Sequence, residues 1–273
     1  MRLRDSWRQV RERADYPAPI ERLLAKTLAA SAVLTGNIKF EGSLSIQLKG
    51  QGPVTLLFAE CGHDGRVRGL ARWEGEVADD FSLIAGEAEP VLAITIENST
   101  SGQRYQGLVP VDDADPAVLI ERYFERSEQL PTRVALAADA RGCAALMLQQ
   151  LPADEARGSD PDAWNRVNLL LGTLREAELL ELPAEQLLLR LFHEESVRAH
   201  TPRPLAFGCR CSRERVAGML HSLGREEAEA AVRDDGQVEV TCEFCNTHYR
   251  FDRIDLEQLF RAGYDISAAP TPH

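Results

Sequence analysis

The sequence predicts an α+β protein with three parts: an N-terminal domain with a largely antiparallel sheet and helices, a helical linker, and a small C-terminal domain. Strand and helix patterns follow one another over residues 1–155, and residues 156–208 are leucine-rich at helical spacing. Four of the six cysteines lie within residues 209–273, in two close pairs. These observations set the predicted domains at 1–155, 156–208 and 209–273.

Composition and charge exclude several classes of protein. Of the 273 residues, 44% are hydrophobic and 27% charged, which argues against wholesale disorder. The net charge of −12 argues against nucleic acid or anionic lipid as main partners, because phosphates would be repelled. No apolar run approaches the ~20 residues of a membrane helix, and the Arg-rich N-terminus lacks the apolar core of a secretory signal. We therefore expect a soluble, cytoplasmic protein.

The spacing of apolar residues along the N-terminal domain changes repeatedly between a helical pattern and the alternation of a strand. Residues 20–34 are apolar at helical spacing, and Gly36 is the predicted C-cap of that helix. Apolar and polar side chains then alternate, as in a half-buried strand, and residues 63–65 (His-Asp-Gly) are typical of a hairpin turn. The predicted strands are 44–48, 54–58, 67–73, 91–96, 105–109 and 134–138.

Two further helices are predicted before the linker. Asp115 suits an N-cap and Pro116 a first helical turn, so a helix should begin there and end near Gln129. Residues 143–151 are predicted as a second helix. The polar segment 155–160 then marks the domain boundary.

Leucine dominates the linker, with eleven leucines between residues 169 and 191. One predicted helix carries its apolar face on Trp164, Val167, Leu171 and Leu174. A second helix begins at Pro183 and carries its apolar face on Leu187, Leu188, Leu191 and Phe192. The two helices must dock on another surface, or they would expose a large apolar patch.

The C-terminal domain is short and poor in large apolar side chains, so it needs an additional cross-link to be stable. Ser212 is the predicted N-cap of a helix that ends near Leu223. The elements predicted after it are a helix at 224–232, a turn at 235–236, a strand through 238–240, a knuckle at 242–245, a return strand through 249–251 and a helix at 252–260.

The predicted cross-link is one Zn²⁺ held by four thiolates, those of Cys209, Cys211, Cys242 and Cys245. Zinc could contribute ~10–16 kcal/mol to folding such a tail. Two alternatives are four ordinary buried thiols and an inert structural zinc ribbon. The Cys-x-Cys spacing counts against the ribbon, in which both pairs are usually Cys-x₂₋₄-Cys.

The spacing of the first pair also favours a redox role. A disulfide between Cys209 and Cys211 would close a very small ring, which should be strained and easily reduced again. Zinc holds sulfur as thiolate, the form that oxidants attack. Oxidation would eject the metal and remove the main source of stability of the tail.

Other candidate residues are given structural interpretations. His248 could be a fifth ligand, but a surface position on a hairpin is favoured. Cys61 and Cys143 stand alone and are predicted to be structural, and His193 with the two glutamates after it is predicted to be a solvated helix end. We find no Gly-rich phosphate loop, no Gly-x-Ser-x-Gly and no convincing catalytic set, so no enzymatic activity is expected.

Two stretches are the most specific in the sequence, CRCSRERV from Cys209 and CEFCNTHYRF from Cys242. Four further stretches stand out: DYPAPIERLLAK (15–26), GQGPVTLLFAE (50–60), ERYFERSEQLPTR (121–133) and LFHEE (191–195). With these motifs, which cover nearly the whole chain, the protein resembles the 33-kDa heat-shock protein family, the redox-regulated holdase chaperones of bacteria.

The resemblance implies a redox switch in a C-terminal zinc-binding domain. It assigns zinc ligation to the four cysteines of the two pairs and implies disulfides Cys209–Cys211 and Cys242–Cys245 on oxidation. The reduced, zinc-bound form would be an inactive monomer. The oxidised form would lose zinc, unfold its tail and linker, dimerise and bind unfolding client proteins without ATP. Family members usually begin with a further segment and an early strand before the position of Met1, so either the start codon is misassigned or the N-terminal sheet has lost an element.

Two other functions are considered. A nucleic-acid-binding zinc ribbon would use the local arginine cluster Arg210, Arg213 and Arg215, although the surrounding tail is acidic. A thiol–disulfide oxidoreductase would use Cys242 and Cys245, but such pairs usually begin a helix near a βαβ unit.

Overall fold

The chain divides into two compact units, Met1–Gly208 and Cys209–His273. The computed structural model describes residues 1–38, 41–50, 53–84, 90–152, 160–233 and 236–261. The predicted domain boundary at residue 155 and Asp235 of the predicted turn lie outside these residues. In the described part of the chain, no helix combines the length and apolar character that a membrane crossing requires.

The first unit contains two sheets. Its described strands are β1 (Arg2–Leu3), β2 (Gly42–Lys49), β3 (Val54–Gly62), β4 (Arg66–Trp73), β5 (Val91–Asn98), β6 (Arg104–Pro110), β7 (Thr132–Asp139), β8 (Gly142–Gln149) and β9 (Ala206–Phe207). The larger sheet has the order β6-β5-β2-β3-β4-β9 and the smaller one β1-β8-β7. Neighbouring strands are antiparallel except β4 and β9, which confirms the predicted largely antiparallel α+β class.

The helices of the first unit pack on these sheets. They are α1 (Asp5–Arg11), α2 (Ala18–Asn37), α3 (Pro116–Tyr123), α4 (Ala163–Leu171), α5 (Glu176–Glu181) and α6 (Ala184–Phe192), with a π-helical turn at Phe124–Glu128 after α3. The Asp115 side chain accepts a hydrogen bond from the Ala117 N–H, which confirms the predicted N-cap. The strand β1 and the helix α1 were not predicted.

The long helix α2 forms the centre of the main core. It packs against β2, β3 and β4 of the larger sheet and against β7 and β8 of the smaller one. The prediction that Gly36 ends this helix is wrong, because the helix continues to Asn37 and Ile38 is its C-cap. Leu34 and Thr35 remain buried, so packing of the last turn carries the helix past the glycine.

The predicted helix at 143–151 is wrong, because residues 143–149 belong to strand β8. Ala, Leu and Met favour helices in isolation, but this preference is weak and pairing overrides it. The strand lies between β1 and β7, with Ala144 opposite Ala137 and Cys143 opposite Ala138. Both of its edges are therefore paired, and its first half is buried on both faces, with Cys143 and Ala145 in the main core and Ala144 in the cluster of the leucine-rich segment.

The leucine-rich segment folds as three described helices, not the two predicted, and they pack on one face of the smaller sheet. Leu174 lies between α4 and α5, and the predicted helix from Pro183 is α6. The shared cluster contains Ala137, Ala144, Leu179, Leu187, Leu191 and Phe192, all buried. The two alanines are fully buried small residues, which lets the helices approach the sheet closely.

The second unit is a hairpin flanked by short helices. Its described elements are α7 (Arg213–Leu223), α8 (Arg225–Ala230), β10 (Gln237–Thr241), β11 (His248–Asp252) and α9 (Arg253–Leu259). Ser212 Oγ accepts from the Arg215 N–H at 3.2 Å, as predicted for its N-cap. The core is small and consists of Val216, Ala217, Leu220, Ala228, Val238, Phe251, Leu256 and Leu259.

Candidate metal centre

Two irregular segments of the second unit place the four paired cysteines. Cys209 and Cys211 come directly before the Ser212 cap of α7, and Cys242 and Cys245 lie in the turn between β10 and β11. The turn is closed by the Cys242 N–H donating to Thr247 O at 2.9 Å and by the Asn246 N–H donating to Cys242 O at 2.7 Å. Asn246 has the left-handed φ of 57° that such a tight knuckle requires.

The four sulfurs fit a tetrahedral metal ion. They all lie within 4.8 Å of one another, with 3.6 Å between Cys209 and Cys242 and 3.3 Å between Cys211 and Cys245. Zn–S bonds of about 2.3 Å give a tetrahedron with edges of about 3.8 Å. All four side chains are partly exposed, and no disulfide joins them. A soft four-thiolate set of this size suits zinc.

Electrostatics explain why these sulfurs need a cation. The hydrogen bond with Cys242 lowers the pKa of Cys209 to about 4, and the same contact raises the pKa of Cys242. Once one sulfur is ionised, ionisation of its neighbour is opposed by like charge. Four thiolates at this spacing therefore require a positive ion between them.

Two hydroxyl side chains contact the sulfurs. Tyr249 Oη donates to Cys211 Sγ at 3.1 Å, and this hydrogen bond raises the pKa of Tyr249. The Cys245 thiol donates to Thr247 Oγ1 at 3.1 Å, a contact in which the hydroxyl becomes the donor once the sulfur is a thiolate. Sequence reasoning predicted Tyr249 only as a strand residue, and no spacing rule in the sequence would have identified it as a donor.

The other candidate residues lie elsewhere or are engaged. His248 Nδ1 lies 2.7 Å from Glu239 and 3.0 Å from Thr241 Oγ1, on the exposed side of the hairpin. Cys61 and Cys143 are buried in the first unit, where burial raises the pKa of Cys143, as expected for structural thiols. Near His193, Glu195 forms an ion pair with Arg166 at 2.6 Å.

One member of the predicted arginine cluster also has a structural role. Arg213 pairs with Asp255 at 2.7 Å and lies 4.3 Å from the centre of the Phe251 ring. It also donates to the Arg250 carbonyl oxygen at 2.6 Å. These contacts hold α7, α9 and β11 together. The guanidinium of Arg213 is therefore engaged within the unit, which argues against a role in binding the phosphates of a nucleic acid.

Comparison with known proteins agrees with this geometry. The family model described as "Hsp33 protein" matches residues 1–252. The 33 kDa chaperonin of Nitrosococcus oceani is 44% identical over 98% of this chain and 91% of its own length. That of Azotobacter vinelandii is 44% identical over 99% of this chain and 92% of its own. The crystal structure of a 33 kDa chaperonin from Thermotoga maritima has a TM-score of 0.78 at 22% identity, covering 94% of this chain and 90% of that one, and so shows the same fold.

Proposed function

Because this chain belongs to the Hsp33 family, we propose that it is a chaperone whose holdase activity is switched on by oxidation. In the proposed cycle the reduced, zinc-bound protein is inactive and monomeric. The oxidised, zinc-free protein dimerises and binds unfolding proteins without ATP. We further propose the cytoplasm as its location, since its reducing conditions keep thiols ready to respond to oxidants.

The observation that carries the proposal is the four-sulfur cluster in a unit with a small core. The thiolates of Cys209, Cys211, Cys242 and Cys245 would hold one Zn²⁺, which when bound supplies positive charge and a cross-link between two chain segments. The sulfurs, in turn, are the groups that an oxidant can reach, because each is only partly buried.

The switching chemistry uses only these sulfurs and a peroxide. A thiolate attacks the peroxide O–O bond, an S–O bond forms and hydroxide leaves. A second thiolate then attacks that sulfur, an S–S bond forms and hydroxide leaves again. Formation of each disulfide transfers two electrons from the two sulfurs to one peroxide molecule. Formation of both disulfides therefore consumes two peroxide molecules.

We propose the pairing Cys209–Cys211 and Cys242–Cys245. In the reduced protein short sulfur distances run between the two segments, from Cys209 to Cys242 and from Cys211 to Cys245. Disulfides within each pair would remove this link between segments, whereas disulfides across the pairs would preserve it. Peptide mapping of the oxidised protein without reductant distinguishes the two outcomes, and cross-pair disulfides would contradict an unfolding switch.

The leucine-rich segment is the proposed client-binding element. Helices α5 and α6 bury leucines in the cluster that they share with strands β7 and β8, and α4 packs against α6 and this cluster. The segment then continues to Cys209. If loss of the metal unfolds the second unit and the segment undocks, the exposed leucines can cover apolar surface of an unfolding protein.

The decisive experiment is light scattering of a heat-unfolding client protein. We expect the oxidised, zinc-free protein to suppress aggregation at near-stoichiometric amounts and the reduced, zinc-loaded protein to have little effect. Re-reduction with zinc should reverse the suppression. Equal behaviour of the two forms would contradict the switch and leave the metal with a purely structural role.

Basic residues of the first unit form hydrogen bonds or ion pairs with helix α5 and its C-terminal end, and these contacts lead to a separate prediction. Arg2 Nη2 donates to the carbonyl oxygens of Leu179, at 2.8 Å, and of Leu182, at the C-terminal end of the helix. Lys26 contacts Glu176 at 3.4 Å and Arg141 contacts Glu181 at 3.1 Å.

Replacing Arg2 with Met should weaken docking of α5 by about 1.5–3 kcal/mol, the range for hydrogen bonds from a charged donor. Faster hydrogen exchange at residues 176–182 of the reduced protein would be the signature. Arg8→Met is the matched control, because Arg8 is largely exposed and pairs with Asp5 on the same helix. Equal exchange in both variants would show that Arg2 does not hold the helix.

A further inference from the structure

The hydroxyl of Tyr249 singles out one of the four sulfurs. Its Oη donates to Cys211 Sγ at 3.1 Å, although the two residues are 38 positions apart. The other first-segment sulfur, Cys209, accepts a backbone hydrogen bond from Cys211, and Cys242 accepts from the backbone of Phe244 and Cys245. The phenol is therefore a donor that substitution can remove without touching the main chain.

The tyrosine is held firmly enough to act as a directed donor. Tyr249 lies on β11, paired with Val240 of β10. Its ring packs against the small core of the second unit, on the same face of the strand as the buried Phe251. Within the folded second unit, strand pairing and ring packing thus position the hydroxyl toward Cys211.

Donation to a thiolate changes its chemistry. A hydrogen bond stabilises the negative charge on sulfur and makes the lone pair less nucleophilic. Donors around metal-bound ligands tune reactivity in the same way. The attack of a thiolate on a peroxide O–O bond, the first step of oxidation, should be slowed at the sulfur that accepts the phenol proton.

We propose that Tyr249 is a positioning residue of the redox site, which protects Cys211 from oxidants and so sets how readily the site is oxidised. This inference rests on the proposed function for its biological meaning. The order of events that it implies is attack of peroxide at another sulfur, followed by attack of the Cys211 thiolate on that oxidised sulfur, which releases hydroxide and closes the disulfide.

The test is Tyr249→Phe in the full-length, reduced, zinc-loaded protein. Iodoacetamide labelling followed by mass spectrometry gives the modification rate of each cysteine. We expect Cys211 to be labelled about threefold to tenfold faster in the variant, as loss of one hydrogen bond allows, and Cys209 to change much less. Zinc release under excess hydrogen peroxide, followed with a chromogenic indicator, should accelerate as well.

Thr247→Val is the matched control, because it removes the hydroxyl beside Cys245 and leaves Tyr249 in place. This control should alter labelling of Cys245 and not of Cys211. An unchanged Cys211 rate in Tyr249→Phe would overturn the proposal. So would an equal rise at all four cysteines with a lower unfolding temperature, since that pattern means loss of structure.

Failure of this inference can be told apart from failure of the proposed function. Labelling of Cys211 reports on the hydrogen bond in the reduced protein and needs no chaperone assay. If oxidised and reduced protein act equally on a client while Tyr249→Phe still exposes Cys211, the switch is wrong and the role of Tyr249 stands.

Discussion

Removing the metal from the reduced protein is expected to unfold the second unit while the core of the first unit around α2 keeps its structure. The core of the second unit consists of eight buried side chains, three of them alanine or valine on short helices. Bound zinc contributes ~10–16 kcal/mol in small domains of this kind, which exceeds what so small a core supplies. The first unit has its own core around α2 and does not draw on these sulfurs.

Hydrogen exchange with a zinc chelator and a reductant present measures this effect segment by segment. Amides of β10, β11 and α7 should lose their protection, and those of α2 and β2 should keep it. Adding zinc back should restore the protection. Amides of the second unit that stay protected after complete chelation would contradict a stabilising role for the metal.

A cysteine variant tests the same site without a chelator. Cys211→Ser should weaken zinc binding and abolish reversible switching. Cys143→Ala is the comparison, because Cys143 is a buried thiol of the first unit, far in sequence from the sulfur cluster. Full zinc affinity together with normal activation in Cys211→Ser would show that the proposed role of Cys211 is wrong.

Truncating Leu191 should activate the reduced, zinc-loaded protein. Leu191 is 1% exposed in the cluster where α5 and α6 meet β7 and β8. Leu191→Ala removes buried contacts and should weaken docking by about 2–5 kcal/mol, the usual cost of such a cavity. Part of the leucine-rich segment should then be open without oxidation, and the variant should suppress client aggregation in light scattering before any peroxide is added.

The same helix supplies the control. Leu189 is 67% exposed, so Leu189→Ala makes the same chemical change with little loss of docking. It should stay inactive until oxidised. If hydrogen exchange shows the segment open in Leu191→Ala but aggregation is not suppressed, the segment is not the client-binding element.

Several features of the fold could be predicted because they depend on neighbours in sequence. Alternation of Leu44, Ile46 and Leu48 identified β2, whose three leucine and isoleucine side chains are buried. Asp115 and Ser212 act as N-caps through their own hydroxyl or carboxylate oxygens, as their positions predicted. These interactions span a few residues, so local pattern suffices to find them.

Other predictions failed where a distant partner overrides local preference. The residues of β8 were predicted as a helix, yet they pair with β7 and with β1. Gly36 does not end α2, because buried contacts sustain the turn beyond it. The short strand β1 is defined by its pairing with β8, which lies about 140 residues later in the chain. Local sequence preference therefore does not identify it.

The chemistry of the candidate site could be inferred from the amino-acid sequence: two close cysteine pairs, a tail with few large apolar side chains, and a leucine-rich segment before them. The convergence of all four sulfurs, the packing of the leucines on β7 and β8, and the contact of Tyr249 with Cys211 became visible only in the folded chain. Sequence spacing shows which groups are neighbours only over a few residues. Contacts between groups far apart in sequence depend on strand pairing and packing of the whole unit.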